Sequence, residues 1–238
     1  PLLEAYLAER RGSKVTITVP IKGEKQKLVE LAYKNANIVF EQFGEKMKRE
    51  EQRTKGAMEE IRLALGLPQM LHRVEAYDIS NTQGFASVGS MVVFEDGKAK
   101  YSDYRKFKIA CAANGQDDYA SMREMLTRRV QRYVDGDEKF APLPNAFMID
   151  GGLGHVHVCK EVLDSFGLSV PCFGMVKDDR HRTRALVAPD GREFGISATP
   201  ALFALIGRMQ EEVHRFAITY HHEKHSRSAM TSRLDGIP

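Results

Sequence analysis

Asp78 and Asp150 each close a run of strand-forming residues, Arg73 to Asp78 and Asn145 to Asp150. Small or polar residues follow them, Ser80-Asn81 in one case and Gly151-Gly152 in the other. If the two strands are parallel neighbours, the carboxylates converge beyond the carboxyl ends of the strands, where open α/β sheets bind ligands. Two carboxylates forced together repel, and a divalent cation removes that cost. The local alternative is that Asp78 starts a turn and Asp150 caps the next segment, both ordinary uses of Asp. The pattern by itself leaves both readings open.

Four further groups bear on chemistry. Asp117 and Asp118 stand where a helix begins, and acidic residues there are favoured by the exposed amides; a metal or water contact from Asp118 is the minor alternative. His214 is either a metal ligand, a general acid or base near neutral pH, or a structural histidine beside an apolar stripe. His221, His222 and His225 follow it, but no HExxH pattern occurs, so zinc-protease chemistry is a poor fit. Gly151, Gly152 and Gly154 do not complete GxGxxG, because His157 holds the sixth position. They are expected to allow close backbone approach beside Asp150 instead of cradling a nucleotide. Lys177, Arg180, Arg182 and Arg184, with Arg123, Arg128, Arg129 and Arg132, form two basic groups. These read as solvated faces unless the fold gathers them around the acidic site, where they would contact phosphates.

The elements that must position these residues follow from periodicity. Lys14 to Val19 alternates as a half-buried strand and stops at Pro20. A helical pattern runs from about Glu24 to Leu65, through Leu28, Leu31, Ala32, Ala36, Val39 and Phe43, with Gly44 and Gly56 predicting a bend or mobile segment. Three strands are expected next, Arg73 to Asp78, Phe85 to Phe94 and Ala99 to Ile109, the last two joined by a type I′ turn at Asp96-Gly97. Asp117 to Val134 reads as a helix, with Tyr119, Met122, Leu126, Val130 and Tyr133 on one stripe. The continuous apolar run Ala146 to Ile149 predicts a strand covered on both faces, hence central and parallel. A helix from Val156 to Phe166, a strand from Cys172 to Val176 and a hairpin around Asp190-Gly191 come next. The final helix, Pro200 to about Lys224, puts Leu202, Leu205, Ile206, Met209, Val213, Phe216, Ala217 and Tyr220 on its core face, with Gln210, His214 and His221 along one flank. The fold class is therefore α/β, a mixed sheet flanked by helices: an antiparallel three-strand meander plus parallel strands. Residues 1–70 are an N-terminal strand and helical appendage, and residues 71–238 the main domain.

Composition bounds the rest. In 238 residues, 42% hydrophobic and 28% charged, there is material for a real core and no low-complexity tract. The longest apolar stretches fall far short of the roughly 20 residues that cross a bilayer, so no membrane partner is expected. Cys111, Cys159 and Cys172 are too scattered for a CxxC zinc site and too few for a disulfide scaffold, which points to a reducing cytoplasm. The chain begins with Pro1 and lacks a leader-like segment, as an excised fragment would. A net charge of +3 suits a polyanionic partner or an ordinary basic enzyme and decides nothing.

The runs VEAYDISNTQG (74–84), DDYASMREMLTRR (117–129), FMIDGGLGH (147–155), VKDDRHRTRAL (176–186) and EEVHRFAITYH (211–221) resemble, in order and spacing, the C-terminal half of the UvrC family, the nuclease subunit of bacterial excinuclease ABC. The resemblance implies an RNase H-like endonuclease domain that incises damaged double-stranded DNA 5′ to the lesion. It implies Asp78 and Asp150 as catalytic aspartates, His214 as the essential histidine and Asp118 as a further acidic position. Mg²⁺ or Mn²⁺ would be held by Asp78, Asp150 and His214, and Lys177, Arg180, Arg182, Arg184 and Arg123 would contact DNA. The partners implied are UvrB, and UvrA through the complex. Three positions depart from the family: Leu153 stands where Lys is common after the double glycine, Asn81 where many members have His, and GQDDY is one residue longer before Asp118. The family's N-terminal GIY-YIG nuclease, its UvrB-binding segment and its tandem helix-hairpin-helix module are not in this sequence. Two other readings stand beside this one: an RNase H-like nuclease of another class, such as a junction resolvase or transposase, and a non-catalytic DNA or protein interaction module.

Overall fold

The four apolar residues Ala146, Phe147, Met148 and Ile149 have no solvent-exposed surface, and the reason is their place in the sheet. In a computed structural model of the chain, which describes residues 2–80, 87–110, 117–178, 183–197 and 199–234 with side chains to residue 218, they form the central strand β5 (Ala146–Ile149). β5 pairs in parallel with β1 (Arg73–Ser80) on one side and β6 (Cys172–Lys177) on the other. Antiparallel strands extend both flanks: β2 (Val88–Glu95) with β3 (Lys98–Ala99) and β4 (Arg105–Lys108) beyond β1, and β7 (Thr183–Val187) with β8 (Glu193–Gly195) beyond β6. The expected mixed α/β sheet is thus present, eight-stranded, in the order β3-β2-β1-β5-β6-β7-β8 with β4 on β2.

The type I′ turn is as expected, with positive φ at Asp96 (47°) and Gly97 (76°). The long third strand is not. It breaks at a 3₁₀ turn, Tyr101–Asp103, so that Phe94 faces Ala99 while Met91 faces Arg105, and the turn takes up the excess chain. Asp103 in that turn is tied to the Arg73 guanidinium at 2.5 Å, a long-range ion pair that no local pattern announces.

Helices cover both faces. α4 (Asp118–Val134) and α5 (Leu153–Ser165) pack side by side, and α6 (Pro200–Leu234) crosses β1 and β2. Because strand side chains alternate, Glu75 of β1 meets Arg129 of α4 while Asp78 of the same strand meets His214 of α6, which puts α4 and α6 on opposite faces. The α6 stripe is buried as expected at Leu202, Leu205, Ile206, Met209, Val213 and Ala217. No helix of the described residues is long and apolar enough to cross a membrane.

Two compact units divide at Glu50/Glu51. The smaller contains α1 (Leu2–Arg11), which the periodicity did not signal, and α2 (Glu24–Glu51). The half-buried strand expected at Lys14 to Val19 is absent: the segment is irregular, Ile17 and Val19 are exposed, and the Ile17 amide donates to Glu4 Oε1 at 2.9 Å. An alternating pattern makes a strand only where a partner supplies the ladder bonds. The apolar stripe of α2 is exposed too, with Leu28, Leu31, Val39 and Phe43 in solvent and Gly44 inside the helix without a break. In the larger unit a π-helical turn, Gln52–Gly56, precedes α3 (Ala57–Ala64), and Ala57, Met58 and Ile61 enter the core, although they fall within the 1–70 stretch expected as an appendage.

Arg129 corrects the reading of α4 as a solvated basic face. It is fully buried and donates from Nε (2.9 Å) and Nη2 (2.7 Å) to Glu75, which also accepts from Arg73 (3.4 Å) and from the Tyr77 hydroxyl. Its spacing explains this: Arg129 follows Met122 and Leu126 on the core stripe, so its charge enters the interior and persists there only through pairing. Arg129→Ala leaves buried Glu75 with the longer Arg73 pair as its one cationic partner among those named, and the expected loss is about 3–5 kcal/mol of unfolding free energy. Urea unfolding reads it; a loss under about 1 kcal/mol would show that the pair contributes nothing.

Candidate metal centre at the carboxyl edge of the sheet

β1 and β5 run parallel with Tyr77 beside Ile149, and the Asp150 amide donates to the Tyr77 carbonyl at 2.8 Å. The residue after each of these paired positions, Asp78 and Asp150, therefore comes out at the same height on neighbouring strands. α6 brings His214 over them, with Nδ1 3.2 Å from Asp78 Oδ2. One ligand-type atom from each of Asp78, Asp150 and His214 lies within 4.8 Å of the others, the one such group of three among the described residues. They line an open cleft of about 480 Å³ at the ends of β1, β5 and β6.

Neither carboxylate serves the local purpose that sequence allowed. Asp78 lies within β1 and not at a turn, and α5 is capped by Gly152 without a side-chain bond. Asp150 is instead held from two directions: Lys177 Nζ reaches Oδ2 at 3.0 Å, and Gln210 Nε2 donates to Oδ1 at 2.8 Å. Gln210 in turn accepts from the Thr183 hydroxyl, which links α6 to β7 beneath the site. Burial pushes the Asp78 carboxyl above its usual range, Asp150's charge adds to this, and the His214 hydrogen bond pulls partly the other way.

Space for this convergence is made by glycine. A Cβ on Gly174 of β6 would stand 2.4 Å from the Gly151 carbonyl oxygen, and one on Gly151 would meet the His155 ring at 2.7 Å. The backbone thus approaches closely beside Asp150, as the glycine cluster predicts, and Gly174 belongs to the same arrangement. His155 packs on Tyr119 with the rings tilted by 42° and centroids 4.7 Å apart, and burial holds its imidazole below the ordinary value.

The remaining candidates scatter. Asp118 is exposed in the first turn of α4 and is not among the three; its neighbour Asp117 caps the helix, accepting from the Ala120 amide at 3.0 Å. Arg123 pairs with Glu161 and Arg184 with Glu193 (3.2 Å), each on the surface. Arg180, Arg182 and Asn81 lie outside the described residues, as do Cys111 and the side chains of His221, His222 and His225. Two residues acquire roles the sequence did not assign. Gln210 was visible on the His214 flank of α6, one turn away, but nothing in its type announced a carboxylate partner. Lys177, grouped with the phosphate-binding candidates, is bonded to Asp150.

The model of the UvrC RNase H endonuclease domain matches residues 62–218, and that of the UvrC ribonuclease H-like domain matches residues 1–43. UvrABC system protein C of Lachnospira eligens is 52% identical over 98% of this chain, and that of Clostridium perfringens 46% identical over all of it. The chain belongs to the UvrC family. It spans 38% of the first relative's length and 40% of the second's. Among solved structures, human endonuclease V aligns over 63% of this UvrC chain and 86% of its own at 11% identity, with a TM-score of 0.39. The catalytic domain of Mos1 mariner transposase aligns over 72% and 93% at 13% identity, with a TM-score of 0.28.

The Asp78 shift has a sign that can be tested. Its carboxyl holds a proton more tightly in the folded UvrC chain than in the unfolded one, so folding stability falls as pH rises from the unfolded value, about 3.9, through the raised folded value. Asp78→Asn removes the charge with little change of shape. In chelator it is expected to melt higher than the parent at pH 7, with the difference vanishing below about pH 4. A melting series across pH reads this, and a variant no more stable at pH 7 would refute the strained-carboxylate account.

Proposed function

We propose that this chain is the part of a bacterial nucleotide excision repair nuclease that hydrolyses a DNA phosphodiester on the 5′ side of a lesion. The observation that carries the reading is the meeting of Asp78, Asp150 and His214 within 4.8 Å at the carboxyl ends of two parallel strands, in a chain of the UvrC family. The donor set, two carboxylate oxygens and an imidazole nitrogen, suits a hard divalent cation, and burial together with the charge of Asp150 raises the Asp78 carboxyl, a cost that a bound cation would offset. Asp78, Asp150 and His214 would hold Mg²⁺ or Mn²⁺, which would supply activation of water and stabilisation of charge on the phosphate and the leaving 3′ oxygen.

The chain's own residues do the rest. Gln210 and Lys177 hold Asp150 in one orientation, and the ammonium of Lys177 brings positive charge to the mouth of the cleft, where a phosphate would enter. His214 is 57% exposed on its side chain, open to substrate, while Asp78 anchors its Nδ1. With Nδ1 protonated, the ring donates to Asp78 and keeps Nε2 as its one lone pair, which serves either as the metal ligand or as a proton acceptor but not as both at once. Arg180, Arg182, Arg184 and Arg123 are assigned to DNA as sequence-independent backbone contacts, suited to a nuclease that cuts beside many lesions. Asp118 is assigned a supporting acidic role beside His155, UvrB and UvrA are the partners, and the cytoplasm is the compartment. Residues 71–238 are assigned to the nuclease domain, whose core also takes in Ala57, Met58 and Ile61 from the 1–70 stretch.

Asp78→Ala and Asp150→Ala, in the whole protein with its UvrA and UvrB partners, are each expected to lower 5′ incision of lesion DNA by about a thousandfold or more, the worth of several kcal/mol of charge stabilisation. His214→Ala should cost about 10²–10⁴-fold. Circular dichroism must show each variant folded, and calorimetric Mn²⁺ binding must disappear in Asp78→Ala. Full incision by either aspartate variant sinks the assignment.

A further inference from the structure

Among the described residues, the basic side chains assigned to DNA on sequence grounds are not the ones the fold gathers into a cationic surface. Lys177, Arg123 and Arg184 each meet a carboxylate. A second cleft, of about 520 Å³, lies at the outer edge of the sheet between β4 and the carboxyl-terminal half of α4. Four basic side chains, Arg105, Arg128, Arg132 and Lys139, line it against one acidic one, Asp137; Lys106 also borders it, but its ammonium lies over the Phe216 ring of α6 on the other face of the sheet.

Neutral groups do much of the work of holding these cations in place. The Arg105 guanidinium donates to the carbonyls of Ser102 and Tyr104 (2.8 Å each) and of Lys139 (3.1 Å), and among the described residues it meets no carboxylate. Arg128 donates to the Lys108 carbonyl at 2.6 Å as well as to Glu124. Arg132 takes the one acidic side chain of the lining, Asp137, at 3.1 Å. Arg105 and Arg132 lie over the Phe140 ring, 5.7 and 5.9 Å from its centroid, and Arg128 over that of Phe107 at 5.6 Å. Carbonyl bonds and ring stacking orient a guanidinium without cancelling its charge, so the cleft keeps an excess of cations whose repulsion an anion would relieve. Planar guanidinium forks fixed in advance suit phosphate oxygens.

Its position relates it to the candidate metal centre. Ser90 of β2 is paired with both Asp78 of β1 and Lys106 of β4, so the three lie in one row across the sheet. At about 4.8 Å per strand the Lys106 backbone is roughly 10 Å from that of Asp78, about three nucleotide rises of 3.4 Å. Lys106 shares the α6 face of the sheet with Asp78, whereas the cleft lies on the α4 face at the same edge.

We propose that the β4–α4 cleft is a second binding site on this chain, one that takes the sugar-phosphate backbone of a nucleic acid without reading bases, at the sheet edge and on the face opposite the Asp78–Asp150–His214 centre. The proposal rests on the nuclease reading for the choice of a nucleic acid as the polyanion.

The test is fluorescence anisotropy of the 238-residue chain with a labelled DNA duplex, in chelator, over a salt series. Arg132→Glu and Lys139→Glu, both exposed, are combined, with Lys160→Glu on α5 and Arg192→Glu near β8, also exposed and also combined, as a control of like charge change outside the cleft. The double variant is expected to bind about tenfold or more weakly, and its log–log salt slope to fall by about 0.9 for each phosphate it no longer neutralises, while the control stays close to the parent. Arg132→Gln and Lys139→Gln give the same reading if the Glu variants melt early. Parental affinity and slope in the folded double variant overturn the proposal. So does loss of polyglutamate binding with DNA binding intact, which would make the occupant an acidic protein. Incision is measured separately: a chain that never cuts but loses DNA on these changes keeps the cleft and discards the nuclease reading.

Discussion

One backbone pairing governs the site: β1 and β5 lie parallel, and the amide of Asp150 is bonded to the carbonyl of Tyr77. That bond sets two acidic side chains on adjacent strands at the same level, and everything near them answers the resulting repulsion. Lys177 neutralises part of one charge, Gln210 fixes the same carboxylate, and His214 bonds the other. Even so, Asp78 remains harder to ionise than a free aspartate. A fold selected only for stability gains nothing from such a pair; a cation site needs it.

The opposite face of β1 meets a similar difficulty in a different way. Glu75 is as deeply buried as its neighbours, but two arginines and a tyrosine surround it, so acid and base are matched inside the core. The contrast between a compensated buried acid at Glu75 and a partly uncompensated pair at Asp78 and Asp150, three positions or fewer from it in strand or register, separates structural from chemical use of the same residue types. α4 and α6 carry out these two tasks from opposite sides of the sheet.

Cations show the same division. Surface pairs such as Arg123–Glu161 and Arg184–Glu193 are satisfied within the protein. The β4–α4 cleft instead orients Arg105 with carbonyls and an aromatic ring, and sets a single lining carboxylate among four basic side chains. Charge that a fold orients without neutralising is available to a ligand, and the cleft offers it on the α4 face, opposite the face that carries the acidic centre.

The local pattern was sufficient for the elements whose signal is strong and whose partners are close in sequence: the continuous apolar run of β5, the Asp96-Gly97 turn, α4, and the core stripe of α6. The motif runs also carried the family. It failed where pattern and partner separate. Lys14 to Val19 alternates like a strand but finds no ladder, α2 shows a stripe that stays in solvent, and the third strand breaks because Arg73, far away in the chain, pulls Asp103 into a turn. The types and spacing of Asp78, Asp150 and His214 determined what chemistry was available. Only the tertiary structure decided that they meet, that Gln210 and Lys177 hold Asp150, that Arg129 is core and that Arg105 is not neutralised, because each depends on distances between residues tens to more than a hundred positions apart, which local periodicity does not encode.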